Sequence, residues 1–259
     1  MYRFIFLLIS VLVLNGCGSL KENENNKNVE LTVSAAASMQ NVLQELKKSF
    51  EEEYSTIDIS FNFGASGALA QQISQGAPVD LFLSASIEKF DALVDDGQIG
   101  LTLHQHLIGN EIVLVAPIEN EKDISSVEDL STKAERISIG IPESVPAGKY
   151  AREALDSMGL WNSLESNTEI VFAKDVRQVL TYVETGSVDA GFVYKTDTQV
   201  SDQIKVITSV DSTYHSAIIY PMGVVKSSKH LNEATLFYEF LSSEKAISLF
   251  EEYGFTRIQ

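Results

Sequence analysis

The sequence repeats one local unit, and that repetition restricts the possible folds more than any other feature: a short apolar strand, a loop of small residues, then a helix with one apolar face. Its first copy runs from Val29 to Phe50. Val29 to Ser34 has strand character, Ala35-Ala36-Ala37-Ser38 is the small-residue junction, and Val42, Leu43, Leu46 and Phe50 share one face of the following helix. A second copy has the strand-like run Phe61-Asn62-Phe63, the loop Gly64-Ala65-Ser66-Gly67 and a helix from Ala68. A third begins at the turn Ala77-Pro78, with a strand through Ser84 and a helix from Ile87 to Val94. Strands that alternate with helices pair in parallel through right-handed crossovers. Such sheets bind ligands beyond the carboxyl ends of their strands, which is where both serine loops fall.

Asn110 to Pro117 reads as a further strand, after which the rhythm restarts. Arg136 to Ile141 leads through Pro142 to Gly148 into a helix from Lys149 to Met158. Glu169 to Ala173 leads through Lys174 and Asp175 into a helix from Val176 to Glu184, closed by Gly186. Strands at Val188 to Tyr194 and Ile204 to Ile207 complete this second set. The apolar run Ala217 to Val225 is followed by two helices, Leu231 to Leu241 and Glu244 to Tyr253, which lack the strands to form a third domain and are expected to return to the first. The fold class is therefore α/β, with two lobes, each a mixed, mostly parallel sheet flanked by helices. The expected boundaries are 29–112 with 219–259 for lobe 1 and 113–218 for lobe 2, with hinges near Glu111 to Pro117 and Ser216 to Pro221.

The first residues have the physics of an export signal: Arg3 is the early positive charge and Phe4 to Leu14 is apolar, yet the run is too short to span a bilayer as a helix. Leu14-Asn15-Gly16-Cys17 resembles a bacterial lipobox. Residues 1–16 are accordingly expected to be removed, Cys17 to carry a lipid, and 17–28 to form a polar tether. Cys17 is the chain's one cysteine, so no internal disulfide is expected. The formal charge of −17 argues against nonspecific nucleic-acid binding, which needs clustered Lys and Arg. It leaves room for a small anion held by local N–H groups.

No enzyme signature stands out. His104 and His106 form an H-x-H pair without a completing ligand at recognisable spacing, and His215 and His230 are isolated. Gly64-Ala65-Ser66-Gly67-Ala68 has alanine where a nucleophile elbow needs its second glycine, which weakens a serine-hydrolase reading based on Ser66. No Walker-type phosphate loop is present. What remains is a set of neutral donors at loop–helix junctions: Ser38, Ser66, the Pro146-Ala147-Gly148 turn and the Asp175-Val176-Arg177 helix start. Each has an ordinary structural use, the serines and Asp175 as caps, Pro146 and Gly148 as turn formers. Arg177 and Lys149 would by default face solvent or pair with Glu, and Tyr194 would be a core aromatic or a donor at a strand end. Two junctions in each lobe, all on one predicted sheet edge, point jointly to an anion site in the cleft.

Ala35-Ala36-Ala37-Ser38, Phe63-Gly64-Ala65-Ser66, Gly76-Ala77-Pro78-Val79-Asp80-Leu81-Phe82, Val145-Pro146-Ala147-Gly148-Lys149-Tyr150-Ala151, Asp175-Val176-Arg177, Gly191-Phe192-Val193-Tyr194 and Tyr253-Gly254-Phe255 together resemble the molybdate-binding proteins of bacterial ABC importers. The resemblance spans nearly the whole chain after the leader. It implies a type II periplasmic-binding-protein fold and an extracytoplasmic, monomeric, non-enzymatic receptor with no cofactor. Its ligand would be molybdate or tungstate, and its partner a membrane permease. The family's contacts carry over to the Ser38, Ser66 and Tyr194 hydroxyls and the Ala147 and Val176 backbone N–H groups. Gly67 stands where some relatives have a further serine. A sulfate or other oxyanion receptor, a secreted serine hydrolase and a structural surface lipoprotein remain as alternatives.

Overall fold

The computed structural model describes residues 28–258; the expected signal segment, Cys17 and nearly all of the tether lie outside them. Two sheets organise the chain. The first contains β1 (Val29–Ala36), β2 (Ile57–Gly64), β3 (Leu81–Leu83), β4 (Ile99–Gly109), β10 (Ile219–Val225) and β11 (Thr256–Arg257), in the order β11-β4-β10-β3-β1-β2. The second contains β5 (Ile112–Pro117), β6 (Arg136–Gly140), β7 (Glu169–Ala173), β8 (Ala190–Tyr194) and β9 (Ile204–Ser209), in the order β7-β6-β8-β5-β9.

Each sheet is mixed in the same way. β1 pairs in parallel with β2 and β3, and β6 with β7 and β8, as the strand–helix rhythm requires. The remaining pairings are antiparallel. This half is larger than the rhythm alone suggests, because the strands that flank the crossings between sheets, β4, β5, β9 and β10, enter without a crossover helix. The first crossing is confined to Asn110 and Glu111. Ile112 already pairs with Tyr194, and Ile112 to Ala116 are buried in the middle of the second sheet, so the segment expected as a hinge is a core strand. The return runs through 210–218, and Pro221 lies inside β10 at a register shift.

The helices form for the reasons visible in the sequence. α1 (Gln40–Glu53) buries Val42, Leu43, Leu46 and Phe50. α7 (Val176–Glu184) buries Val176, Val179, Leu180 and Val183, the i, i+3, i+4, i+7 stripe. It stops where Gly186 takes φ +64°, a left-handed conformation that glycine adopts without strain. α2 (Ser66–Ser74), α3 (Ile87–Asp95) and α5 (Pro146–Ser157) follow β2, β3 and β6 as expected, with Pro146 in the first turn of α5. Four of the strands and α-helices have no counterpart in the sequence pattern: β4, whose polar His104-Gln105-His106 centre hides its strand pattern, the two-residue β11, and the short helices α4 (Leu130–Lys133) and α6 (Trp161–Asn167).

The C-terminal helices α8 (Leu231–Leu241) and α9 (Glu244–Glu252) return to the first sheet. Phe50 of α1 is the anchor for this return: its ring meets Phe237 at 4.8 Å and Phe240 at 5.3 Å, both edge-on, and stacks on Tyr54 at 4.7 Å. Truncating a buried phenylalanine removes its transfer energy and leaves a cavity, so Phe50→Ala should lower the unfolding free energy by about 3–5 kcal/mol. Chemical denaturation followed by circular dichroism checks this; a loss below about 1 kcal/mol would mean that the C-terminal helices do not depend on this contact.

Candidate functional site

The carboxyl ends of the parallel strands of both sheets face one small cavity. Ala36 at the end of β1, Gly64 at the end of β2 and Ala85 just past β3 line it from one side; Val145, Pro146, Ala147, Val176 and Tyr194 line it from the other. Ser38, Ser66, Ala37 and Ala65 complete the wall. All five residues expected to contact a ligand, Ser38, Ser66, Ala147, Val176 and Tyr194, therefore border the same space. The cavity offers about 10 Å³ to the centre of a water-sized sphere, close to what a single sphere needs. Among the described residues lining it there is no carboxylate, no histidine and no formal positive charge.

Its polar character comes from helix starts. Ala37–Met39 form a 3-10 turn leading into α1, Ser66 is the first residue of α2, Ala147 the second of α5, and Val176 the first of α7. N–H groups in a first turn have no acceptor within their own helix, and the peptide dipoles add a partial positive charge there. Four such starts converge here.

Neither serine caps its own helix, contrary to the ordinary reading of each. Ala36, Met39 and Ala65 occupy the cap positions and no side-chain cap bond forms at them. The Ser38 hydroxyl instead lies 2.9 Å from Tyr220 Oη, and Ser66 Oγ accepts from the Ala85 N–H at 2.8 Å. Asp175 does act as a cap, accepting from Gln178 N–H at 2.9 Å. Tyr194 is buried and lines the cavity, and its hydroxyl, which neighbours Tyr220, makes no hydrogen bond. Burial, then the neighbouring Tyr220, hold its pKa well above that of free tyrosine, so it stays a neutral donor.

Glycines set how closely the walls approach. A Cβ on Gly148 would lie 1.9 Å from the Gly140 carbonyl oxygen, so only glycine lets α5 start against the end of β6. A Cβ on Gly67 would lie 2.8 Å from the Ser144 carbonyl oxygen, across the cleft. Gly67 N–H donates to that oxygen at 3.0 Å. Further bonds join the two sides: Tyr150 Oη to the Ala85 carbonyl at 3.4 Å, Arg177 Nη2 to Asn41 Oδ1 at 2.9 Å, and Lys149 Nζ to the Glu88 carboxylate. The arrangement is closed.

Arg177 does not face solvent as expected. Its Nε lies 3.0 Å from Oδ1 of Asp197, a fully buried carboxylate whose other oxygen accepts from Tyr194 N–H at 3.1 Å. Asp197 thus ties the end of β8 to the first turn of α7. Its signal in the sequence is nil, because a carboxylate three residues beyond a strand looks like any loop acid. Tyr220 and Asn110 were equally unmarked.

A family model for bacterial extracellular solute-binding proteins matches residues 31–256. The chain belongs to that family. A Bacillus subtilis relative of this solute-binding protein, provisionally named an ABC transporter substrate-binding lipoprotein, is 48% identical over 98% of this chain and 96% of its own length. The molybdate-binding protein ModA of Escherichia coli is 37% identical, with 88% of this chain and 89% of ModA aligned. Among solved structures, the substrate-binding domain of a provisionally assigned molybdenum ABC transporter from Clostridium difficile superposes with a TM-score of 0.69. It is 40% identical, covering 90% of this chain and 100% of that one. The two-lobe α/β fold of this solute-binding protein is that of the type II periplasmic binding proteins.

Burial pushes Asp197 up to about 6, against the opposing pull of Arg177. Its folded pKa exceeds its unfolded value near 3.9, so the folded state holds the extra proton between these limits. The group's contribution to stability is greatest below about pH 4 and is lost as pH rises through 6. Asp197→Asn removes this dependence. The difference in unfolding free energy between wild type and variant should therefore shift in the variant's favour from pH 4 to 6 and level off above 7; a difference that does not change with pH would contradict the buried-carboxylate assignment.

Proposed function

We propose that this solute-binding protein is the extracytoplasmic receptor of an ABC importer, capturing molybdate or tungstate in the cleft between its lobes. The carrying observation is a closed, largely apolar cavity whose polar groups, among the described residues, are two serine hydroxyls, a buried tyrosine hydroxyl without a hydrogen-bond partner and the first-turn N–H groups of helices from both lobes, with no carboxylate. A fully ionised tetrahedral oxyanion has only acceptors, and such donors satisfy it through charge-assisted bonds. The names borne by the Escherichia coli and Clostridium difficile relatives support the choice of ion.

In this reading Ser38, Ser66 and Tyr194 donate through hydroxyls, and Ala147 and Val176 through backbone N–H groups. Hydrogen phosphate carries a proton that needs an acceptor, and among the described residues no carboxylate borders the cavity, so phosphate is disfavoured. Sulfate has no proton to reject, and only size separates it from the larger anions. Each lobe supplies part of the shell, so the ion binds the closed arrangement better and draws the population toward it. The closed form then presents both lobes to a membrane permease. The chain works as a monomer; lobe 1 runs from residue 29 to the crossing at Asn110 and Glu111 and again over 219–259, and lobe 2 lies between, one residue earlier at its start than the sequence suggests because Ile112 pairs within the second sheet. A lipid on Cys17, with residues 17–28 as tether, holds it at the membrane surface. As a hydrolase nucleophile Ser66 is disfavoured: its oxygen accepts from Ala85 N–H, and among the described residues no histidine borders the cavity.

Calorimetric titration with molybdate, tungstate, sulfate and phosphate tests the ligand. Molybdate and tungstate should bind, and Ser38→Ala and Ser66→Ala should each weaken binding by about 1.5–3 kcal/mol, the range for hydrogen bonds to charged groups. Absence of heat with both heavy oxyanions would reject the receptor reading, and wild-type affinity in both variants would remove these hydroxyls from the site. For the anchor, mass spectrometry of the exported protein should find acylated Cys17 as the first residue; an unmodified chain would refute it.

A further inference from the structure

Behind Ser38 lies a buried chain of hydrogen bonds that leads to the crossing between the sheets. Asn110, where the chain leaves the first sheet, accepts from Glu111 N–H through Oδ1 at 2.9 Å, which fixes the orientation of its amide. The amide nitrogen then has two hydrogens to give, and two oxygens stand within reach: Thr196 Oγ1 at 3.0 Å and Tyr220 Oη at 3.1 Å. Asn110, Thr196 and Tyr220 are all buried, so these protein oxygens are the partners at hand. Tyr220 Oη, already accepting from Asn110, has one hydrogen of its own; Ser38 Oγ at 2.9 Å has hydrogen-bond geometry to it, whereas the neighbouring Tyr194 hydroxyl makes no such bond.

These constraints settle which way the Tyr220–Ser38 bond runs. If Ser38 donated to Tyr220, the phenol hydrogen would be left buried without an acceptor, at the cost that attaches to any unmet buried donor. With Tyr220 as the donor, Ser38 Oγ accepts and the Ser38 hydrogen is left to turn toward the cavity that Ser38 lines. Ser66 is committed in the same sense by a backbone group, since its oxygen accepts from Ala85 N–H.

We propose that Tyr220, oriented by Asn110, is a positioning residue for ligand binding: it occupies the acceptor capacity of Ser38 and so commits the Ser38 hydroxyl to donate to the bound oxyanion. Tyr220 itself does not line the cavity; it acts through Ser38. The inference rests on the oxyanion reading of the site. It adds to that reading a residue 182 positions from Ser38 in sequence and a link between the site and the inter-lobe crossing at Asn110.

A double-mutant cycle separates this role from mere packing. Tyr220→Phe keeps the ring that meets Tyr194 at 5.8 Å and Phe255 at 5.4 Å and removes only the hydroxyl. With molybdate as titrant, it should reduce affinity about tenfold in the wild-type background, the scale of one hydrogen bond to a charged partner. In a Ser38→Ala background the same substitution should leave affinity unchanged, because the group it acts through is gone. Ligand-free melting curves identify variants that fold; if Tyr220→Phe does not, Asn110→Ala, which frees the phenol hydrogen to reorient, enters the same cycle with the same expected pattern. Wild-type affinity in the variant that folds, or an equal loss in both backgrounds, would overturn the positioning role while leaving the receptor reading intact. Failure of the wild-type chain to bind molybdate or tungstate would instead remove the oxyanion reading, and this inference with it.

Discussion

Helix starts that point at one another repel, because each concentrates partial positive charge and first-turn N–H groups that its own helix cannot satisfy. In this protein four of them meet at one cavity, two from each side, and the meeting follows from how the two sheets are built. Helices follow parallel strands at their carboxyl ends, so sheets that face one another across those ends must bring helix starts together. The closed arrangement holds them there with bonds at the rim, Gly67 to Ser144, Arg177 to Asn41 and Lys149 to Glu88. The fold thus creates a local demand for negative charge inside a chain whose formal charge is −17. Range reconciles the two: the overall charge acts through screened solvent, whereas the donors act at contact distance in a buried space.

The supporting structure around the cavity makes its donors single-minded. Ser66 is held by Ala85 N–H, Ser38 adjoins Tyr220, and the Tyr194 main chain is held by Asp197, itself paired with Arg177. Each lining hydroxyl sits against a buried scaffold that restricts what it can do. Rigid, pre-oriented dipoles need little reorganisation when a charged partner arrives, which is how a site of neutral groups can hold an ion firmly.

How much of this was legible depended on the distance over which each feature is specified. The strand–loop–helix units at Val29–Phe50 and at Ala173 to Glu184 are local patterns of apolar spacing and small residues, and they read directly. Ser38 and Ser66 stood out because a serine in a small-residue loop is conspicuous, although the cap role that chemistry first suggests for them is not the one the fold gives. Ala147 and Val176 reached the candidate set through family resemblance and the junction pattern, since nothing in an alanine or valine side chain announces a donor. Asp197, Asn110 and Tyr220 were silent: their partners lie in other elements, and an aromatic in the apolar run Ala217 to Val225 reads as core. The segment from Glu111 to Pro117 misled in the opposite direction, because a proline-ended strand at a lobe boundary looks like a joint until its pairing on both edges is seen.

Two of the five candidate ligand contacts are made by the main chain, at Ala147 and Val176, and this has a consequence for how such a site changes over time. Side-chain replacement cannot delete a peptide N–H unless proline is introduced, so these two positions keep their donor under any other substitution that their burial allows. What they do not tolerate is displacement of the helix start that aims them, and that is governed by residues such as Gly148 and Gly140, which contribute no polar atom of a side chain at all. A survey of this protein by alanine substitution would accordingly undercount such a site, finding the three hydroxyls and passing over the two contacts that the backbone supplies.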